Sequence, residues 1–178
     1  MCTRSLVAVA FLVTWGSACR DGPAPAPAAS SAGARAAAAE RYEDPVLDVR
    51  ADDPALLAAR ARARSEIDAV IARHAASPLT ELSVKAPITD GIHVERVWLA
   101  DVRYEGGDFV GTIDNDLTRV KTRRPGDTVR VEKYAIDDFM YEEGGKIRGN
   151  YTLRALLDRL PPEDAAKYRE MLAPEPEG

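Results

Sequence analysis

The fold class that the sequence predicts is α+β: a curved antiparallel sheet of five or six strands, packed by one long N-terminal helix and short C-terminal helices. The first observation is that residues 93–151 alternate apolar and polar side chains in short segments separated by turn residues, the pattern of half-buried strands. The second is that residues 54–76 and 153–172 repeat apolar residues at three- and four-residue spacing, the pattern of amphipathic helices. A sheet face and a helix stripe of this kind bury each other.

The strand pattern is clearest from Val94 to Tyr104, where the even positions are apolar except for Arg96. This alternation predicts that Trp98 and Val102 share the buried face of the strand. Gly106-Gly107 supplies the positive φ angles that a hairpin turn needs. Further turns are indicated at residues 114–116, 124–127 and 144–145, and an additional strand at residues 82–88. Strands at this close spacing predict a curved meander or a small barrel.

The helix before the sheet has a clear start and a clear end. Asp53 is placed to act as the N-cap, and Pro54 stands at the first helical position, where its missing N–H costs nothing. The pattern continues to about Ala76 and ends at Ser77-Pro78. After the sheet, Thr152 can cap a second helix, and a third begins near residue 163. The leucines of the second helix form an i, i+3, i+4, i+7 stripe at Leu153, Leu156, Leu157 and Leu160.

The first 18 residues have the features of an export signal rather than of a folded segment. Arg4 gives a positive start, residues 5–15 form an apolar run, and Gly16-Ser17-Ala18 places small residues before Cys19. The apolar run is too short for a membrane span of about 20 residues. The ending resembles the lipobox of bacterial lipoproteins, in which the cysteine is acylated, although that pattern prefers Leu where Gly16 stands. The alternative is an ordinary secretory signal cut near Ala18, with Cys19 left as a free thiol.

Cysteine usage favours acylation, because Cys2 and Cys19 are the only cysteines in the chain. The α+β domain, predicted over residues 45–173, therefore contains no disulfide, no thiolate zinc site and no cysteine nucleophile. Residues 19–44 are rich in alanine and proline and predict a tether, and residues 174–178 a tail. We expect an exported protein of the cell envelope, anchored to the membrane through Cys19. In a Gram-negative host, Arg20 rather than Asp at the next position favours the periplasmic face of the outer membrane.

The overall charge argues against nucleic acid as a partner. The formal net charge is −5, so the chain as a whole gains no counterion release on phosphates. The basic residues of 119–124 are better explained as a solvated strand-and-turn edge, since charged edges block unwanted strand pairing. No cofactor is expected, because the sequence contains neither a glycine-rich phosphate loop nor a His-Glu-x-x-His motif.

Eight short motifs follow one another through the predicted domain: Ser83-Val84-Lys85, Val94 to Trp98, Phe109-Val110-Gly111, Ile113-Asp114-Asn115, Val120-Lys121, Gly126-Asp127, Ile136 to Met140 and Gly149 to Thr152. Their order resembles the YegJ-like bacterial proteins, the domain-of-unknown-function family 2314. The resemblance covers about Asp52 to Leu172. Two positions depart from it, since the family usually has His where this chain has Arg96 and Trp where it has Phe139. The resemblance implies no activity, because the family is named for lacking a known one.

Two functional hypotheses follow from the domain. In the first, it is a tethered, non-catalytic module that binds an envelope protein, a peptide or a glycan through aromatic residues of a concave sheet face: Trp98, Tyr104 and Phe139. In the second, it is a cell-envelope hydrolase that uses His93, Glu95 and Asp138.

The binding hypothesis is favoured over the hydrolase. His93 and Glu95 share a strand face at i, i+2, a spacing that suits an acid–base pair. Two positions do not supply the three or four ligands of a metal site, so no metal is expected. Arg96, where the family usually has His, argues against chemistry that would depend on that His.

Overall fold

The computed structural model describes residues 49–175, and these residues form an α+β domain. Its helices are α1 (Pro54–Ala76), α2 (Tyr151–Arg154) and α3 (Pro162–Met171). Its strands are β1 (Thr80–Thr89), β2 (Val94–Glu105), β3 (Asp108–Ile113), β4 (Thr128–Glu132), β5 (Asp138–Glu143) and β6 (Lys146–Gly149). The predicted signal peptide, Cys19 and the tether of residues 19–44 lie outside the described residues, as do residues 176–178 of the predicted tail.

The six strands form one antiparallel sheet in the order β4-β3-β2-β1-β5-β6. The chain builds the first four strands as a meander and then returns to the other side of β1 with the β5–β6 hairpin. A barrel would require β4 to pair with β6, and these strands instead stand at opposite ends of the sheet. The barrel alternative is therefore wrong, whereas six antiparallel strands agree with the predicted count.

Helix α1 begins and ends where the sequence predicts. The Asp53 carboxylate accepts hydrogen bonds from the backbone N–H groups of Ala55 and Leu56, and Ser77 terminates the helix in an extended conformation. The fully buried Ala63 and Ile67 belong to the main hydrophobic core together with side chains of the sheet. The apolar stripe of α1 therefore packs against the sheet. No helix among residues 49–175 has both the length and the apolar character needed to cross a membrane.

A β-bulge in β2 changes which side chains face the core. The pairing of β2 with β3 shifts between Ala100 and Arg103, and Asp101 has a φ of 50°. A bulge adds one residue to one strand, so the alternation of side chains reverses across it. On the far side of the bulge, Val102 faces the core as predicted.

Before the bulge the predicted register is wrong. Val97 and Leu99 belong to the hydrophobic core, so Trp98 between them points to the opposite face of the sheet. Trp98 pairs with Lys85 of β1, which has the same orientation. The indole is nevertheless buried, since Trp98 is only 4% exposed.

The leucine stripe after the sheet does not form the predicted two-turn helix. Helix α2 stops at Arg154, and Leu157–Arg159 form a separate 3₁₀ turn. Of the four leucines, only Leu153 is buried, with 2% of its surface exposed. The spacing of the leucines is consistent with a helix here, but α2, which follows β6 after a short connection, ends at Arg154. Helix α3 follows as predicted, with Ala165 and Tyr168 on its buried side.

Candidate functional site

A buried carboxylate, that of Asp137, lies among three guanidinium groups. The Asp137 side chain is 5% exposed and accepts a hydrogen bond of 2.5 Å from Nε of Arg96. Nη2 of Arg64 lies 3.3 Å from Oδ1 of Asp137, and Nε of Arg60 lies 3.5 Å from the same oxygen. We call these four residues the arginine cluster. One carboxylate among three guanidinium groups leaves a local excess of positive charge.

Backbone contacts hold the cluster in place. Arg60 and Arg64 are one helical turn apart on α1, so both side chains project in the same direction. Nη1 of Arg60 donates to the Ala51 carbonyl at 2.8 Å, and Nε of Arg64 donates to the Ile136 carbonyl at 2.8 Å. Asp137 is fixed just before β5 because its own N–H donates to the Lys85 carbonyl at 2.7 Å. The charged groups are therefore positioned before any ligand arrives.

Arg60 is the most buried cation of the cluster. It is 7% exposed, and its Nε has no hydrogen-bond partner although it lies near Asp137. Burial lowers the pKa of the Arg60 guanidinium; Asp137 opposes this shift, while the like charges of Arg96 and Arg64 add to it. Buried donors are nearly always paired in folded proteins. Arg60 thus has an unused donor and an incompletely balanced charge.

The cluster borders a cavity of about 340 Å³. Its walls come from the start of α1, from β1 and β2, from the turn after β3, and from α2 and the residues that follow it. Those lining residues that carry polar or charged side chains are Arg60, Lys85, Glu95, Arg96, Asn115, Asp116, Asp137 and Thr152. We call this space the cluster cavity. Its volume lies at the lower end of the range of about 300–1,000 Å³ that small-molecule pockets occupy.

Glu95 lines the cluster cavity, but its carboxylate is already engaged. It accepts hydrogen bonds from the backbone N–H groups of Thr118, Arg119 and Val120. Burial acts to raise the pKa of Glu95, and these three donors outweigh it, so the pKa lies below its usual range. Glu95 therefore closes the loop after β3 and is a poor candidate for a general base.

His93 lies in the turn between β1 and β2, with Nδ1 3.5 Å from Oδ2 of Asp90. The Asp90 carboxylate accepts hydrogen bonds from the N–H groups of His93 and Ile92, and these two donors lower the pKa of Asp90 to about 2. This is an Asx-type turn. Its geometry explains the polar residues at this position without a catalytic role.

Asp138 is fully buried at the start of β5. Its carboxylate accepts hydrogen bonds from the backbone N–H groups of Phe139, Tyr151 and Thr152, and from the Thr152 hydroxyl. Burial raises the pKa of Asp138 to about 6, although these donors act in the opposite direction. Asp138 thus fixes the start of α2. The three residues of the hydrolase hypothesis each have separate partners and are not brought together as a catalytic set.

Trp98 lies next to the cluster cavity rather than in its wall. Nζ of Lys85 is 5.3 Å from the centroid of the indole ring, and the backbone N–H of Trp98 donates to Oδ1 of Asn115 at 2.5 Å. Both partners line the cavity. The indole Nε1 is buried and has no hydrogen-bond partner.

The other two aromatic candidates lie elsewhere. Phe139 pairs with Val84 in the core, on the sheet face opposite Trp98. The ring of Tyr104 packs on that of Phe109 at 5.3 Å between centroids and is part-exposed. The structure therefore does not place Trp98, Tyr104 and Phe139 on one concave surface.

A second cavity, of about 250 Å³, borders Phe139 between the second half of α1 and the β5–β6 hairpin. Charged side chains in its wall have ion-pair partners. Arg73 forms an ion pair with Glu143, and Nη1 of Arg62 lies 2.5 Å from the Glu175 carboxylate of the C-terminal segment. Within residues 49–175 no group of three His, Cys, Asp or Glu side chains is arranged to hold a metal ion.

Sequence reasoning missed the arginine cluster. It took Arg96 only as an exception within an apolar strand face and as a departure from the family pattern. A signal was present, however. Arg60 falls on the stripe itself, between Leu56 and Ala63, where an unpaired cation would be costly to bury. A buried arginine needs an acidic partner, but the pattern did not show that the partner is Asp137.

Residues 57–173 match a family model described as an uncharacterized protein conserved in bacteria (DUF2314). The chain belongs to the DUF2314 family. A curated relative is the uncharacterized protein YegJ of Escherichia coli (strain K12), which is 39% identical over 121 residues, covering 68% of this chain and 79% of the relative. No solved structure matches the chain significantly. All four residues of the arginine cluster lie within the part of the chain that the DUF2314 model matches.

Proposed function

We propose that this DUF2314 protein is an exported, lipid-anchored binding module that holds its ligand in the cluster cavity. The observation that supports this most strongly is the cavity of about 340 Å³ whose wall contains Arg60, Arg96 and Asp137 of the preformed arginine cluster. A cavity that is already shaped and charged loses little free energy to reorganisation when a ligand binds.

The state of the carboxylates favours binding over catalysis. A general base needs a free lone pair within hydrogen-bond reach of the substrate. The Glu95 carboxylate accepts hydrogen bonds from three backbone N–H groups, and the Asp137 carboxylate is paired with the arginines of the cluster. Asp138 has a raised pKa but is occupied by the start of α2. The hydrolase hypothesis has no comparable support.

The proposed location of the protein in the cell rests on the sequence. A positive start, an apolar run and small residues before Cys19 have the form of a lipoprotein signal, and the alanine- and proline-rich residues 19–44 provide reach. Acylation of Cys19 would place the domain at a membrane surface. The partners we propose are accordingly the membrane, through the lipid anchor, and a ligand of the cell envelope; the net charge of −5 argues against nucleic acid.

Two measurements test the proposal. Mass spectrometry of the membrane fraction should find a mature chain that begins at acylated Cys19, and a soluble product with another first residue would contradict the anchor. Native mass spectrometry of the protein purified from its own membranes should detect a bound small molecule that denaturation releases.

A variant that fills the cluster cavity tests whether that ligand binds there. Leu156→Trp should lower the retained ligand, because Leu156 lines the cluster cavity. Leu160→Trp is the matched control, since Leu160 is also part-exposed but is not among the lining residues. Equal ligand retention by both variants would place the ligand somewhere else and contradict the proposed site.

A further inference from the structure

We propose that the ligand of the cluster cavity carries an oxyanion, a carboxylate or a phosphate group, and that the guanidinium groups of Arg60 and Arg96 bind it. This inference rests on the proposed function, which it deepens by naming the chemical class of the ligand.

The unused donors belong to the two arginines that line the cavity. Nε of Arg60 is buried and has no hydrogen-bond partner. Among residues 49–175, the hydrogen bond of Arg96 is made by its Nε alone, to Asp137, and the two terminal nitrogens of Arg96 make none. A guanidinium presents its donors in a planar fork that matches the two oxygens of a carboxylate or a phosphate. These donors therefore favour an oxyanion over a neutral ligand.

The charges that face the cavity agree with this assignment. The cationic lining residues are Arg60, Lys85 and Arg96, and the acidic ones are Glu95, Asp116 and Asp137. Glu95 keeps its charge, but its carboxylate is engaged by three backbone N–H donors, and Asp116 is exposed to solvent. At the buried end Asp137 faces both Arg60 and Arg96, and Arg64 adds a further positive charge there. An oxyanion would complete the pairing there.

Asp137 has a definite part in this arrangement. By holding Nε of Arg96, it orients the outer edge of that guanidinium. It also keeps three like charges together in the absence of ligand, which would otherwise repel one another. Asp137 is thus a positioning residue, and the ligand would bind the arginines beside it rather than replace it.

Calorimetric titration of the purified full chain with inorganic phosphate, and separately with succinate, tests the proposal. We expect saturable binding of at least one probe, and the arm that responds distinguishes a phosphate from a carboxylate ligand. Arg96→Gln should weaken that binding tenfold or more. Arg124→Gln is the matched control, because the Arg124 side chain is 86% exposed in the turn before β4 and should leave binding unchanged.

Failure to bind either probe would overturn the inference, as would an equal loss of binding in the two variants, which would indicate general charge attraction. If Arg96→Gln does not fold, Arg96→Lys replaces it; this variant keeps the charge but loses the fork, so binding should still weaken. A small molecule retained in native mass spectrometry without any phosphate or succinate binding would overturn the oxyanion and leave the binding module standing. Oxyanion binding, together with a mature chain that carries no lipid in mass spectrometry, would contradict only the anchor.

Discussion

Replacement of Asp137 by asparagine removes the negative charge that pairs with three guanidinium groups while it keeps the shape of the side chain. The loss of stability depends on how deeply each of the three arginine partners is buried. The side chains of Arg64 and Arg96 are 40% and 34% exposed, so solvent screens them and each pairing contributes about 0–1 kcal/mol. Arg60 is buried, with 9% of its side chain exposed, and removing one partner of a buried pair costs roughly 3–5 kcal/mol. We therefore expect Asp137→Asn to lower the free energy of unfolding by about 3–5 kcal/mol.

Urea unfolding followed by far-ultraviolet circular dichroism measures this loss as a shift of the midpoint. Asp158→Asn is the control, since Asp158 forms an ion pair with Arg169 but is 96% exposed, and its change should stay within about 0.5 kcal/mol. Adding Arg60→Met to the Asp137 variant should recover part of the stability, because the stranded buried cation is then gone. A midpoint of Asp137→Asn equal to that of the control would refute the view that the cluster is an electrostatically coupled unit.

Three further predictions concern the frame around the cavity. Burial raises the pKa of Asp138 from 3.8 to about 6, so the contribution of this carboxyl to folding stability is fully present below about pH 4 and is lost as the pH rises through 6. This loss is on the order of 3 kcal/mol. In urea unfolding it should vanish from the pH profile of Asp138→Asn. Gly149→Ala should cost roughly 2–4 kcal/mol, measured as a lower unfolding midpoint, because Gly149 has a φ of 75° and an added Cβ would clash with the Phe139 carbonyl oxygen. Leu153→Asp should cost more than about 3 kcal/mol and abolish cooperative unfolding, since it buries a carboxylate without a partner.

Matched controls exist for the last two. Gly126 also has a positive φ, of 90°, but a Cβ there would meet no atom within 4 Å, so Gly126→Ala should cost only about 1 kcal/mol. Leu156 is part-exposed and should tolerate Asp far better than Leu153 does. Equal costs within either pair would contradict the packing around α2. A wild-type chain whose stability follows the same pH profile as Asp138→Asn would contradict the raised pKa.

The elements of the fold that depend on local chemistry were predictable. Asp53 and Pro54 mark the start of α1 because capping acts within one helical turn. The glycine pairs mark the hairpin turns because turn conformation also depends on neighbouring residues. The bulge at Asp101 was not predictable, because the alternation of apolar residues continues across it in the sequence and only the pairing of β2 with β3 reveals it. The face assigned to Trp98 was wrong for that reason.

The candidate site depends on contacts that are remote in the sequence. Arg96 and Asp137 are 41 residues apart, and Arg64 and Asp137 are 73 apart. Composition and periodicity carry no information about such pairs until the strand order is known. The sequence indicated the polar residues His93 and Glu95, but both have structural partners: His93 lies beside the Asp90 carboxylate of the same turn, and Glu95 accepts hydrogen bonds from backbone N–H groups of the loop after β3. What the sequence did contain was Arg60, a cation within an apolar stripe.

The most direct test of the proposed site is a crystal structure of the full chain grown with phosphate or succinate, whichever binds in solution. We predict density for the anion in the cluster cavity, beside the Arg60 guanidinium and within hydrogen-bond distance of a terminal nitrogen of Arg96. Density for the anion only at exposed basic residues such as those of 119–124, with water alone in the cluster cavity, would contradict the account.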